Sequence, residues 1–418
     1  MDLQLSDDQR ALRSGMRDLL GAVFDREALR AAVERGGTVD RGLWRELGAA
    51  GLFALRLPEE AGGVGLGLPE AVLLFEEAGR ALLPGPLVAT HLAAGAVEGA
   101  AEGEAVVTAL EGGGRPVPYL AEADAVLVGP GVLTDPGALT GSGVRAGSGV
   151  RAGSGALTGS GALTGSGVRA GSGVRAGSGV RAGSGALTGS GALTGSGVLT
   201  GEALEGFVAR AGPVRSLDPL TPLHRAEGLA AAAMGLARGS EAYQAEGLAG
   251  AASGLAGGSE AYPGALCREG ALLTAAEQLG SATRTTEMAV QHARTREQFG
   301  APIGSFQAVK HLCADMLART EPARSALYAA ALTADPVEIA AAKLLADEAA
   351  VRNARDCLQI HGGMGFTWEA DVHLHLKRAW LRASRWLTAA ESEEILAAAL
   401  GPSSCPVPPL YSGSAASG

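Results

Sequence analysis

The sequence predicts a mostly α, multidomain α + β chain. An N-terminal helical domain (1–112) leads into a small β domain (113–228) interrupted by a Gly/Ser-rich hexad repeat (137–202). A C-terminal four-helix bundle (229–400) and a flexible tail (401–418) follow. Three observations lead there. Apolar residues recur at helical spacing through the first hundred residues and again through the last third. Composition shifts to short β-like runs after about residue 112, and near-identical six-residue units fill the stretch beyond.

The first helix opens on the capping-box pattern Ser6-x-x-Gln9, ahead of Leu12, Met16, Leu19 and Leu20 on one face. A second carries Leu43, Trp44 and Leu47 and stops at Gly48. A third runs from Pro69 to about Leu83 and is closed by Pro84 and Pro86. In the β-like stretch, Ala125 to Val128 reads as a strand. Later, a long helix from about Ala271 is predicted to end at Phe299, with Gly300 as its left-handed stop and Pro302 beyond. The next starts after Ser305, with a core stripe of Phe306, Val309, Leu312, Cys313, Met316 and Leu317. Asp335 as N-cap, Pro336 at the first position and Glu338 open a third, which runs to His361 before Gly362 and Gly363. A helix from Ser384 to Leu400 completes the bundle.

Composition excludes several functions. The 418 residues carry 34 Lys and Arg against 44 Asp and Glu, a net charge of −10. With no basic run, nothing neutralises phosphates as nucleic-acid binding requires. Apolar residues make up 47%, too many for a disordered chain. The four cysteines (Cys267, Cys313, Cys357, Cys405) are scattered, which fits reduced thiols. The first residues do not form a signal peptide, and no uncharged apolar run reaches about 18 residues, so the expectation is a cytoplasmic protein without a membrane span.

From Gly137 to Glu202 the chain is built of about eleven GALTGS or GVRAGS units. Each has two glycines and small apolar side chains that barely offset the entropy of ordering them. The tract reads either as a flexible insert, its ends wandering on the order of 45 Å, or as a β-solenoid with three units per coil. A smaller duplication follows, GLARGSEAY (235–243) recurring as GLAGGSEAY (254–262).

Two segments of the last third carry chemistry. In RTREQFGAPIGSFQAVKH (294–311), Arg296 lies near a helix end, where a guanidinium can grip a pyrophosphate in forked geometry; Gln298 and Phe299 add an amide and an aromatic face. In CLQIHGGMGFTWEADVHLHLKRAW (357–380), Gly362 and Gly363 admit a ligand close to the backbone, and Gln359 lies about one turn before them. Both segments, with LWRELGAAGLFALRLPEEAGGVGLGLPEAVLLFEEAGR (43–80), resemble signatures of the acyl-CoA dehydrogenases over roughly residues 1–110 and 265–400. The resemblance implies an N-terminal helical domain, a middle β-barrel and a C-terminal four-helix bundle. It also implies FAD and an acyl-CoA thioester, with Arg296, Gln298, Phe299, Gln359, Gly362 and Gly363 holding the FAD of a neighbouring subunit. A homo- or hetero-oligomer follows, with an electron-transfer flavoprotein as candidate acceptor in lipid, sterol or amino-acid breakdown.

The reaction implied is α,β-dehydrogenation: a carboxylate removes the α-proton while the flavin accepts the β-hydride. Here the sequence departs from the family. Counting from Gln359 to the usual base lands on Trp386, with Thr388 fitting a flavin-contacting threonine. The family's alternative position lands on Gly270, one residue from the weaker candidate Glu269. The catalytic base is therefore unassigned, and the chain reads either as a FAD-dependent dehydrogenase or as the non-catalytic subunit of one. A structural or interaction protein built on the hexads is a third reading. Glu391, Glu393 and Glu394 read as a solvated face. GGVGLG (62–67) lacks the preceding strand of a dinucleotide loop. No metal site is expected: Cys357 and His361 share a helix face without a third ligand, and His373 and His375 read as solvated or capping residues.

Overall fold

The computed structural model describes residues 4–111, 114–128, 168–171, 173–176, 197–226 and 264–401. It is mostly helical, as the periodicity predicts. The duplicated nonapeptide, most of the hexad tract and residues 402–418 lie outside the described residues.

Helix α1 (Asp7–Val23) opens on the predicted capping box: the Gln9 amide donates to Ser6 Oγ, and Gln9 Oε1 accepts from the Ser6 N–H, both at 3.1 Å. Two further helices start on aspartate caps, α2 (Arg26–Glu34) on Asp25 and α3 (Arg41–Ala49) on Asp40. Helix α4 spans Leu68–Arg80, and Leu82 at φ +56° turns the chain before Pro84, so it ends earlier than Leu83. Helix α5 (Leu87–Ala93) follows. The sequence reading missed α2 and α5, both short.

The β region forms two small sheets. Strand β1 (Val107–Leu110) pairs in parallel with β3 (Ala125–Val128), the strand that the apolar run at 125–128 predicts. Strand β2 (Val117–Pro118) belongs to the second sheet. Within the hexad tract, β4 (Val168–Gly171) and β5 (Gly173–Ala176) pair antiparallel, unlike the parallel stacking of solenoid coils. The tract's last residues are anchored: β6 (Gly197–Leu199) pairs with β3 and buries Val198 and Leu199. Helix α6 (Gly201–Val208) packs Leu204 and Phe207 against the first sheet's cluster. Strands β7 (Ala211–Val214) and β8 (Leu223–Ala226) complete the second sheet in the order β2-β8-β7. No closed barrel is present among the described residues.

The bundle is organised by α7 (Ala265–Thr295), a 31-residue helix whose first half is almost wholly buried. A short hairpin, β9 (Glu297–Gln298) and β10 (Ala301–Pro302), follows it. Helices α8 (Gln307–Thr333) and α9 (Pro336–His361) pack on α7, and the Asp335–Pro336 start is as predicted. The fourth position is shared by two short helices against α9: α10 (Val372–Arg382), which the sequence reading left out, and α11 (Ala389–Leu400). Of the stripe on α8, Met316 is buried, but Phe306 and Leu317 are exposed, so it is only partly core.

A buried polar seam runs through this core. Lys343 is fully buried, ion-paired with Asp347 and donating to the Arg382 carbonyl at 3.2 Å. Gln278 donates to Asp347 Oδ1 and to the Ala379 carbonyl, each at 2.9 Å. These partners satisfy the Lys343 ammonium and the Gln278 amide N–H groups, whose burial would otherwise cost several kcal/mol; Gln278 Oε1 has no partner among the described residues.

The N-terminal helices join the bundle where α4 crosses α7. A Cβ added at Gly79 would lie 2.0 Å from the Glu277 carbonyl oxygen, and one at Gly280 only 1.8 Å from that of Glu76. The two backbones thus touch without side chains between them. Gly280→Ala is expected to lower the unfolding free energy by about 1–3 kcal/mol. Gly15→Ala, where nothing lies within 4 Å of the added methyl, is expected to raise it by roughly 0.5–1 kcal/mol. Urea denaturation of both variants checks the contrast.

Candidate functional site

Two clusters form, one at each end of α7. At its start, Gly270 lies beneath the indole of Trp386: a Cβ added at Gly270 would be 2.2 Å from Trp386 Cδ2. Trp386 is 5% exposed and sits at φ +61°, a rare conformation for a bulky residue that its surroundings must sustain. Its N–H donates to Glu111 Oε2 at 2.7 Å, and its carbonyl accepts from the Cys267 thiol at 3.0 Å. Burial pushes that thiol up to about 12, which keeps it a donor. Glu111 also pairs with Arg385. The two positions where the sequence places a base therefore meet in space, and neither bears a carboxylate.

The remaining candidates there have other partners. Glu269 is 7% exposed and lies in the fork of Arg56, with Nη1–Oε2 at 2.6 Å and Nη2–Oε1 at 3.4 Å. Thr388 is the N-cap of α11: its hydroxyl accepts from the Glu391 N–H at 3.3 Å and donates to Glu391 Oε2 at 2.8 Å. Glu391, exposed like Glu393 and Glu394, also binds Arg115 at 2.7 Å, so on that solvated face it serves a cap and an ion pair.

At the far end, the last turns of α7 and α9 come together. His292 and His361 stack with ring centroids 4.1 Å apart and planes 17° from parallel. Arg296, Gln298 and Phe299 follow His292, and Gln359, Gly362 and Gly363 flank His361, all six exposed. Helix α7 ends at Thr295, four residues before the predicted stop. Phe299 (φ +55°) and Gly300 (φ +78°) are instead the two left-handed residues of the β9–β10 turn, the pairing a tight hairpin favours. Phe299 is 94% exposed, edge-on to Phe306 at 6.0 Å. Gln298 Nε2 donates to the Glu297 carbonyl at 2.7 Å. Gly362 takes φ +62° to leave the helix, and among the described residues nothing beyond its chain neighbours lies within 4 Å of a Cβ built on Gly363. The His292 imidazole is held below its ordinary range, by burial and by the positive charges of His361 and Arg296.

The histidines of α10 are packed into the structure. His375 is buried, its Nδ1 2.8 Å from Ser281 Oγ, and His373 stacks on Trp368; neither is a solvated residue. His361 Nδ1 is 2.8 Å from the Cys357 carbonyl. Among the described residues no cluster of His, Cys, Asp or Glu could hold a metal ion, and no helix is long and apolar enough to cross a membrane.

Comparison with known proteins decides the family. Residues 6–103 match the family model "Acyl-CoA dehydrogenase, N-terminal domain", and residues 265–396 match "Acyl-CoA dehydrogenase, C-terminal domain". The chain belongs to the acyl-CoA dehydrogenase family. Among its relatives is acyl-CoA dehydrogenase IpdE2 of Mycobacterium tuberculosis, 29% identical over 89% of this chain and 91% of that protein. The ChsE4–ChsE5 complex of the same species has a similar fold, with TM-score 0.61 and 22% identity over 96% of this chain and 99% of that one. So does the Tcur3481–Tcur3483 steroid ACAD, at 0.64 and 20% over 94% and 97%.

Membership in this acyl-CoA dehydrogenase family carries acyl-CoA dehydrogenation as general chemistry and FAD as cofactor. At the far cluster the Arg296 guanidinium has no salt bridge among the described residues, Gly362 is left-handed and Gly363 is open. Sequence reasoning missed Arg56 and Glu111, which hold Glu269 and Trp386. Both lie far away in the chain, and no local pattern marks them.

Two measurements test this geometry. Gly270→Ala is expected to destabilise the chain by about 1–3 kcal/mol, and most of that cost should vanish in a Trp386→Ala background, as denaturation of the double-mutant cycle reads. By NMR titration, His292 is expected to gain its proton below the usual histidine range. Since His361 repels that proton, His361→Phe should shift the titration upward.

Proposed function

We propose that this chain is a subunit of a hetero-oligomeric acyl-CoA dehydrogenase, completing a partner's FAD site without supplying a catalytic base. The observation that carries this reading is the Trp386 indole packed on Gly270. A carboxylate at either position would need the space that the indole fills. The alternative, a self-sufficient dehydrogenase using Glu269, is disfavoured by the Arg56 fork that already holds this side chain.

Distance along α7 supports a shared site. Gly270 and Thr295 are separated by twenty-five residues, roughly 38 Å of helix, more than an extended flavin dinucleotide spans. The cluster at Arg296 and the Trp386–Thr388 region of one chain thus serve different cofactor molecules. Arg296, Gln298, Phe299, Gln359, Gly362 and Gly363 would hold the pyrophosphate and adenine end of the partner's FAD. FAD, when bound, supplies the hydride acceptor. Around this cluster Phe299, Met364 and Phe366 are 94%, 60% and 73% exposed, an apolar surface suited to cover by a second subunit. That ChsE4–ChsE5 is a complex of two different chains agrees with such an arrangement. Electrons would leave through an electron-transfer flavoprotein.

The test is turnover of an acyl-CoA panel by the isolated chain, with excess FAD, and by the chain co-expressed with a base-bearing acyl-CoA dehydrogenase of the same genome. The isolated chain is expected to be inactive and the complex active. Arg296→Ala in this chain should weaken FAD binding by the complex about 10- to 100-fold, the loss of a charge-assisted hydrogen bond. Full turnover by the isolated chain, abolished by Glu269→Gln, overturns the reading.

A further inference from the structure

The face-to-face histidines stand at the root of the Arg296 cluster. Helices α7 and α9 meet at this end over an apolar cluster that includes Ala289, Ala293, Leu358 and Ile360. His292 lies one helical turn before Arg296, and His361 immediately precedes Gly362; both rings are half-buried. His361 is tied down: its Nδ1 lies 2.8 Å from the Cys357 carbonyl and so carries its hydrogen there. His292 stacks on that ring and has no hydrogen-bond partner among the described residues.

The charges that act on His292 come from His361 on α9 and from Arg296 on α7 itself. Both oppose its protonation, and no carboxylate among the described residues offsets them. The other titratable groups in this packing are thiols, Cys357 on α9 and Cys313 on α8. Burial pushes Cys357 up to about 12 and raises Cys313 as well, so both stay neutral. The loop 362–366 bears no charge. By itself the pair therefore disfavours a proton, and two protons on rings 4.1 Å apart would repel each other. A diphosphate at Arg296 reverses that balance. Its negative charges offset the guanidinium and attract a proton to the neighbouring imidazole.

We propose that His292 is a proton-carrying member of the cofactor grip: a diphosphate docking at Arg296 draws one proton from solvent onto His292, which adds a second cation to the grip. No bond of the ligand changes. His361 is the positioning residue, holding the His292 ring by stacking. This rests on the reading that the Arg296 cluster holds the diphosphate of FAD. Binding and protonation are reciprocal, so affinity rises as pH falls through the range between the two His292 titrations, with and without ligand, and levels off below it.

The experiment titrates the full-length chain with ADP-ribose, which shares the adenosine diphosphate part of FAD but has no terminal phosphate to titrate at about pH 6. Calorimetry in two buffers of different ionisation enthalpy counts the protons taken up, and NMR follows His292 with and without ligand. The expected result is uptake of roughly 0.5–1 proton per ADP-ribose at about pH 6, with the His292 titration moved upward. Binding should be about three- to tenfold tighter at about pH 5.5 than at about pH 7.5. His292→Gln should abolish the uptake and flatten the pH profile, whereas a merely structural role would lower affinity equally at every pH. His361→Phe should keep the uptake and move it to higher pH. Binding that Arg296→Ala weakens, with no proton uptake and an unmoved His292 titration, overturns the proposal and leaves the cofactor reading intact; uptake that persists in His292→Gln overturns it too. No binding at millimolar ADP-ribose, or binding indifferent to Arg296→Ala, contradicts the cofactor reading and this proposal together.

Discussion

The contact on which this structure depends is the bare crossing of α4 and α7, where Gly79 and Gly280 let two backbones touch. A methyl group at either position would push the N-terminal helices off the bundle. With the crossing closed, Glu76 and Glu77 on α4 are buried and must find cations. Arg324 and Tyr328 from α8 reach Glu76, and Arg17 from α1 reaches Glu77. One close approach thus draws polar side chains from two other helices into the interface. Removal of either partner there leaves an uncompensated buried charge, the costly case for such pairs.

Because α7 is held along its buried first half, it acts as a rigid spacer between two sites of different character. Its start is sealed by an indole and by arginines with carboxylate partners. Its end is open, aromatic and cationic. A self-contained dehydrogenase would need a carboxylate at the sealed end. The polar seam of Lys343, Asp347 and Gln278 keeps α9 and α10 in register with α7, so Arg378 and Arg382 are positioned by the same network that holds the bundle.

Much of this was legible in the sequence, for identifiable reasons. Local signals with their own mechanism were readable: the Ser6–Gln9 box, the Asp335–Pro336 start and the Gly362 exit each rest on side chain and backbone within four residues. Gly300 misled because a left-handed glycine serves a helix end and a hairpin turn equally well, and only the pairing of Gln298 with Ala301 decides between them. The helix at 372–382 was missed because its histidines read as solvated or capping residues; contact with Ser281, Asp218 and Glu277 buries His375, Arg378 and Arg382 in the core. Counting along the motifs found Trp386 and Gly270 separately. Their contact, and the hold of Arg56 on Glu269 across more than two hundred residues, belong to tertiary structure alone.

The most direct test is the flavin-to-chain ratio of the purified assembly, from flavin absorbance and quantitative amino-acid analysis. If this chain lends its open end to a partner's cofactor and holds no complete site of its own, the assembly with a base-bearing subunit contains one FAD per two chains, and the chain alone retains almost none. One FAD per chain in a homomeric preparation would contradict it.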